Sequence, residues 1–335
     1  MVENTKEQAE PMLSGKYIAG FLDSDGSISV DWQKRGWTPQ LILGFSQKTE
    51  QDEVLYKIQE AIGGSINMAI VRGNSYTRLI VVSKYAKMAL NRIKKHLVIK
   101  RHYAEACLDM CSRRVENIFE ARAYLKEQRK IRSLPLPSFP SRKWLAGYID
   151  GDGCLATGKM TTRGAVTLQL HIACAEYDTE GIEIIHKAFG GNIYNMRNGK
   201  CRQYRVMLPP SKAIEILGPI VKHMIVKQDQ ARLILGCAEM GHYRDGENIK
   251  SALKTLKASP HRLNEVGVEV SSLMETIQDL PPYWTYQNKH SRCRICGTSE
   301  REHCGNGLCG MCYQRERKKK LEHSAHAIVG QVAVC

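Results

Sequence analysis

From Leu13 to Ser24, Leu13, Tyr17, Gly20, Phe21 and Ser24 recur at spacings of three and four, which predicts a helix over 13–24 that stops by Gly26. Polar Ser27, Ser29 and Asp31 then alternate with apolar Ile28 and Val30, the pattern of a half-buried strand. A second strand follows over Leu41 to Phe45, after a loop at Gly36 to Pro39. Thr49 to Asp52 opens a second helix, which closes at Gly63 and Gly64. Ser65 to Val71 and Arg78 to Val82 form another hairpin turning at Arg72 to Asn74, and further helical segments follow. The order is helix, strand pair, helix, strand pair, helix.

The same order occurs twice. Tyr17-Ile-Ala-Gly-Phe-Leu-Asp-Ser-Asp-Gly26 and Trp144-Leu-Ala-Gly-Tyr-Ile-Asp-Gly-Asp-Gly153 match position by position, at an offset (152 − 25) of 127 residues. Gly63-Gly64 matches Gly190-Gly191, and His96-Leu-Val-Ile-Lys100 matches His223-Met-Ile-Val-Lys227, at that same offset. Three blocks in one register establish an internal duplication. Hairpin turns are expected near Thr161 to Gly164 and at Asn198-Gly199 in the second half. The expected layout is a first lobe over 12–130, a Pro-containing linker over 131–141 and a second lobe over 142–250. A helical connector (251–285), a cysteine-rich module (286–320) and a tail (321–335) follow. The class is α+β: four hairpins form a broad β surface with helices on its other face.

Each repeat ends its small-residue helix on Asp-x-Asp-Gly. Ala19-Gly20 and Ala146-Gly147 let two helix backbones approach closely, which brings Asp25 and Asp152 side by side at the helix ends. Paired carboxylates repel unless cations neutralise them, and hard oxygen ligands select Mg²⁺. An ion held there polarises a phosphodiester and activates water. One Asp-x-Asp-Gly is commonly a turn; two at equivalent places favour chemistry.

Charge names the substrate class. Forty-nine Lys and Arg against 34 Asp and Glu give +15 and a pI near 9.3, which points to a polyanion, most simply a nucleic acid. No apolar run reaches 18 residues and no long basic amphipathic helix is evident, so no membrane partner is expected. The polar N-terminus resembles neither a signal nor a transit peptide, so synthesis in the cytosol is expected.

The two motifs resemble the paired signatures of the LAGLIDADG homing endonucleases, and the duplication resembles their single-chain branch. The similarity covers about residues 12–245. It implies two pseudo-symmetric αββαββα lobes forming a saddle over double-stranded DNA. It also implies Mg²⁺-dependent cutting of both strands by a monomer, with the last Asp of each motif, Asp25 and Asp152, on the metal. By the same resemblance Gln47 orders water in the pocket, while its twin Cys174 departs from the pattern and Glu176 lies nearby. Lys100 and Lys227, each 75 residues beyond its Asp (100 − 25 and 227 − 152), line the pockets. An intron maturase binding RNA on the same fold is the alternative, and a regulator without catalysis a third. Intact Asp25 and Asp152 favour cleavage.

A β-ribbon can enter the major groove, where base edges carry the full code. The candidate readers are Ser29, Asp31, Gln33, Lys34, Arg35, Arg72, Asn74 and Arg78 in the first half. Their counterparts are Lys159, Thr161, Arg163, Arg197, Asn198, Lys200 and Arg202 in the second. Some would meet only phosphates.

Five of the twelve cysteines crowd into twenty residues. Cys293-Arg-Ile-Cys296 and Cys309-Gly-Met-Cys312 can each clasp one side of a tetrahedral, structural Zn²⁺, without His303 or Cys304. The segment resembles a treble-clef or ribbon zinc finger. Its second pair would open a basic helix to Lys320, suited to DNA phosphates.

Overall fold

A computed structural model describes residues 12–32, 38–71, 73–131, 140–158, 168–175, 179–198, 201–208, 210–239, 246–258, 293–297, 303–305, 308–309 and 311–316. The first lobe runs α1 (Gly15–Asp23), β1 (Ser27–Trp32), β2 (Pro39–Lys48), α2 (Glu53–Ile62), β3 (Ser65–Val71), β4 (Asn74–Val82), α3 (Ser83–Ile93), α4 (Arg101–Met110) and α5 (Ile118–Gln128). The second runs α6 (Arg142–Asp152), β5 (Gly153–Thr157), β6 (Leu168–Ala175), α7 (Glu180–Phe189), β7 (Asn192–Asn198), β8 (Cys201–Leu208), α8 (Pro210–Ile220), α9 (Gln228–Glu239) and α10 (Gly246–Ala258).

Each lobe holds a four-stranded antiparallel sheet, in the orders β1-β2-β4-β3 and β5-β6-β8-β7. The 127-residue offset survives in the strand pairing. Ser27 faces Gly44 as Cys154 faces His171, Gln47 faces Thr77 as Cys174 faces Tyr204, and Ser65 faces Ile80 as Asn192 faces Met207. Because a one-residue slip would turn a strand over, this match means the duplicated hydrophobic pattern buries the same face in both lobes. In β2 that face carries Leu41, Leu43, Phe45 and Gln47. Helices α2 and α7 both end on a glycine with φ of 76°, Gly63 and Gly190, a conformation that a side chain would strain.

The opening of α2 departs from the sequence reading. Thr49–Gln51 forms a separate 3-10 turn, and Asp52 does not cap the helix through its side chain. Its carboxylate instead accepts a bond from Thr77 Oγ1 at 2.6 Å, tying the helix to β4. β4 also starts earlier than the alternation suggests, at Asn74. α10 crosses position 250, where the sequence ended the second lobe, and buries Ile249, Leu253 and Leu256 in the core shared by both lobes. Among the described residues no helix is long and apolar enough to cross a membrane.

Candidate functional site

Helices α1 and α6 pack against each other at their motif glycines. A Cβ added to Gly20 would strike the Trp144 carbonyl, and one on Gly147 would strike the Tyr17 carbonyl. These clashes are twins at the 127-residue offset, so the two helices cross about a pseudo-two-fold axis at backbone contact. The approach continues to the helix ends. Gly151 lies against the Ser24 hydroxyl, and its added Cβ would sit 3.2 Å from the Asp25 amide nitrogen. The residue preceding Asp152 therefore packs closely against the turn that carries Asp25.

The first aspartate of each motif, to which the sequence reading assigned no role, holds this arrangement. Asp23 is buried and accepts bonds from Val98 N (2.7 Å), Lys100 N (2.8 Å) and, across the lobe boundary, Trp144 Nε1 (2.8 Å). Asp150 is buried and accepts from Ile225 N (2.6 Å), Val226 N (3.2 Å), Lys227 N (2.9 Å) and, from the other lobe, Tyr17 OH (2.6 Å). Desolvation pushes both carboxyls up, and the surrounding donors and lysines pull them back. A buried carboxylate persists only when its oxygens are satisfied, so each locks the 98–100 or 225–227 segment to its own motif helix. The available signal was the repeat itself: Tyr17/Trp144 and Asp23/Asp150 recur at the same offset as the catalytic candidates.

That locking delivers the two lysines. Lys100 Nζ donates to the carbonyls of Leu22 (2.7 Å), Ser24 (3.0 Å) and Gly26 (2.8 Å). Lys227 Nζ donates to those of Ile149 (3.1 Å), Asp150 and Gly151 (3.0 Å). Each ammonium sits on the carbonyl end of its motif helix, where the unpaired C=O groups and the helix dipole favour a cation. Burial pulls the Lys227 amine down, while Asp150, Asp25 and Asp152 push it back up.

Asp25 is exposed and Asp152 half-buried. Although the residue reaches solvent, the protein crowded about the Asp25 carboxyl raises its pKa by desolvation, opposed by Lys227 and then Lys100. Gln47 extends from the buried face of β2, and its Nε2 lies 3.4 Å from Asp25 Oδ2. The structure thus brings Asp25, Gln47, Lys100 and Lys227 together beside the turn that carries Asp152. Cys174 occupies the Gln47 position in β6; its side chain and Glu176 lie outside the described residues.

The sheet faces opposite the core carry part of the reading set. Ser29, Asp31, Asn74 and Arg78 are exposed on β1 and β4. Register adds neighbours that the sequence reading missed: Ser46 lies opposite Arg78 on β2, Asn67 opposite Arg78 on β3, and exposed Lys48 opposite Tyr76. Ser46 and Lys48 were missed because β2 reads as a short apolar run that ends at Phe45. Arg197, Asn198 and Arg202 lie in β7 and β8 at the hairpin end. Gln33, Lys34, Arg35, Arg72, Lys159, Thr161, Arg163 and Lys200 lie outside the described residues.

The cysteine pairs converge through two short strands, β9 (His303–Gly305) and β10 (Leu308–Cys309), with a helical turn over 311–316. The sulfurs of Cys293, Cys296, Cys309 and Cys312 lie within 4.8 Å of one another, close enough to hold one ion. Cys296 Sγ is 3.6 Å from Cys309 Sγ, near the roughly 3.8 Å edge of a tetrahedron with Zn–S bonds of about 2.3 Å. Cys309 N donates to Cys293 Sγ at 3.3 Å. Desolvation would raise the Cys293 thiol, but backbone N–H groups of Cys296, Cys309 and Ile295 outweigh it and hold it at about 5. Burial and the neighbouring sulfurs push the Cys312 thiol up to about 12; it is the convergence of four sulfurs that makes the donor set one for a metal ion. His303 and Cys304 lie in β9, and their side chains fall outside the described residues.

Comparison with known proteins places this arrangement. The family model described as LAGLIDADG endonuclease matches residues 18–106 and 145–230, just over half of the chain. No match was found among curated proteins. Among solved structures, the LAGLIDADG meganuclease I-AabMI bound to uncleaved DNA aligns with a TM-score of 0.53 at 17% identity, covering 73% of this chain and 98% of that one. A point mutant of I-SmaMI aligns with a TM-score of 0.50 at 20% identity, covering 73% and 97%.

Proposed function

We propose, given that this chain belongs to the LAGLIDADG endonuclease family, that it cuts both strands of a specific DNA site at a centre built on Asp25 and Asp152. The observation that carries this reading is the crossing of α1 and α6. It sets two aspartate-bearing turns against each other in a two-fold arrangement, which matches the two-fold relation of antiparallel DNA strands.

The site residues divide the work. Asp25 and Asp152 offer hard carboxylate oxygens that suit Mg²⁺. Bound there, such an ion supplies Lewis-acid polarisation of a phosphodiester and an activated water. The Gln47 amide, 3.4 Å from the Asp25 carboxylate, can orient that carboxylate and a water beside it. Lys100 and Lys227 neutralise charge from behind by holding the helix-end carbonyls, so the acid-bearing turns are rigid before DNA arrives. Exposed Ser29, Asp31, Asn74 and Arg78, with Ser46, Lys48 and Asn67 beside them, form the surface that meets the major groove in the first lobe. Both halves of the centre belong to one chain, so a monomer suffices. The four cysteines hold a structural Zn²⁺ with no open ligand position.

Asp25→Asn keeps the size of the side chain and removes its charge. Double-strand cutting of a selected target should fall by at least 100-fold or stop at a nick. Undiminished double-strand cleavage would remove Asp25 from the chemistry.

A further inference from the structure

The two pockets are not equally furnished. Where Gln47 faces Thr77 in the first lobe, Cys174 faces Tyr204 in the second, and a thiol holds a phosphate or its water poorly. A candidate replacement comes from outside the segments that match the family, on α10. Ile249, Leu253 and Leu256 anchor that helix in the common core, which fixes its rotation. It lies against β5, the strand that leaves Asp152.

Lys257 stands in its last turn, held from both lobes. Its carbonyl accepts a 2.8 Å bond from Gln51 Nε2, in the turn after β2 of the first lobe. Its Nζ lies 3.6 Å from the sulfur of Cys154, an exposed residue two positions beyond Asp152. In register Cys154 faces His171, and the charges of Arg205 and Lys257 both act on the His171 ring. At the 127-residue offset Arg205 has the twin Arg78 and Lys257 the twin Lys130; Lys130 is paired with Glu127 at 2.7 Å, whereas Lys257 lies at the strand that leaves Asp152. Among the described residues no carboxylate pairs with Lys257. A sulfur is a weak acceptor for an ammonium, whereas a phosphate oxygen is a strong one.

We propose that Lys257 binds a backbone phosphate of the DNA at the second pocket, supplying a polar group to the pocket in which Cys174 stands at the Gln47 position. The idea rests on the reading that Asp25 and Asp152 form the cutting centre.

The test compares Lys257→Ala and Lys257→Arg with the unaltered chain. The substrate is a duplex that the unaltered protein selects from randomised DNA with Mg²⁺, labelled on both strands. Lys257→Ala should slow the cutting of one strand by about tenfold more than the other, so that nicked DNA accumulates. In binding measured without metal, the slope of log affinity against log salt should fall by about 0.9, the share of one phosphate. Lys257→Arg keeps the charge and should restore both. The anchoring residues and the bond from Gln51 to the backbone are untouched by these changes, so α10 stays in place. Equal slowing of both strands with an unchanged salt slope would give Lys257 a packing role and overturn the proposal. If Asp25→Asn cuts normally, the cutting-centre reading fails; the metal-free salt slope still tests Lys257 by itself.

Discussion

Asp23 and Asp25 stand two residues apart and do opposite things. Asp23 points inward, takes three N–H bonds and is spent on structure. Asp25 faces outward, with Gln47 Nε2 3.4 Å from its carboxylate, and is the residue proposed to meet the ion. Asp150 takes the inner role in the second motif, and the cross-lobe bonds from Tyr17 and Trp144 make each inner aspartate depend on the other lobe. With Asp25 in the proposed cutting centre, its protonation would bear on activity. Desolvation raises its pKa, and the lysines only partly offset this, so the ionised form that a cation needs is lost at higher pH than for an ordinary aspartate. The acid limb of cleavage at limiting Mg²⁺ should therefore lie above the ordinary carboxylate range and move to lower pH as Mg²⁺ is raised. A pH–rate profile with a limb at or below the ordinary aspartate value, or one insensitive to Mg²⁺, would contradict this environment for Asp25.

At the scale of elements, the α1–α6 crossing decides the geometry of the site. Small residues at 20 and 147 permit backbone contact, and that contact sets the separation of the two acid-bearing turns. In Gly147→Ala the added methyl meets the Tyr17 carbonyl, which a rotamer change cannot relieve. The helices must part, at a cost of about 3 kcal/mol. Chemical denaturation should show the loss of stability, and cleavage should fall with it even where the protein remains folded. An unchanged midpoint would mean that the helices do not touch there.

At the scale of the whole molecule, the lobes share one hydrophobic core, and α10 joins it. The cysteine module is built differently. Among the described residues its buried groups are Leu308 beside Cys293, Cys309 and Cys312, so a metal held as proposed would contribute much of its stability. The purified chain should carry about one zinc per molecule, and Cys309→Ser should lose it while the lobes keep their thermal transition. Full zinc content in Cys309→Ser would refute the four-cysteine ligand set.

Much of this was legible in the sequence, because a duplication exposes what both copies need. The repeat of Tyr17–Gly26 in Trp144–Gly153, the Gly63 and Gly190 helix ends, the Lys100 and Lys227 pair and the spacing of the four cysteines are local patterns, written in neighbouring residues. Alternation also indicated which face of β1 is buried. The tertiary structure decided what depends on elements far apart in the chain. It made Asp23 and Asp150 clasps, because their partners lie 75 to 133 residues away. It carried β2 on through Ser46 and Lys48, because pairing with β4 and not apolar composition holds those residues in the sheet. It set Lys257 beside the strand leaving Asp152, because the rotation of α10 follows from the core into which Ile249, Leu253 and Leu256 pack.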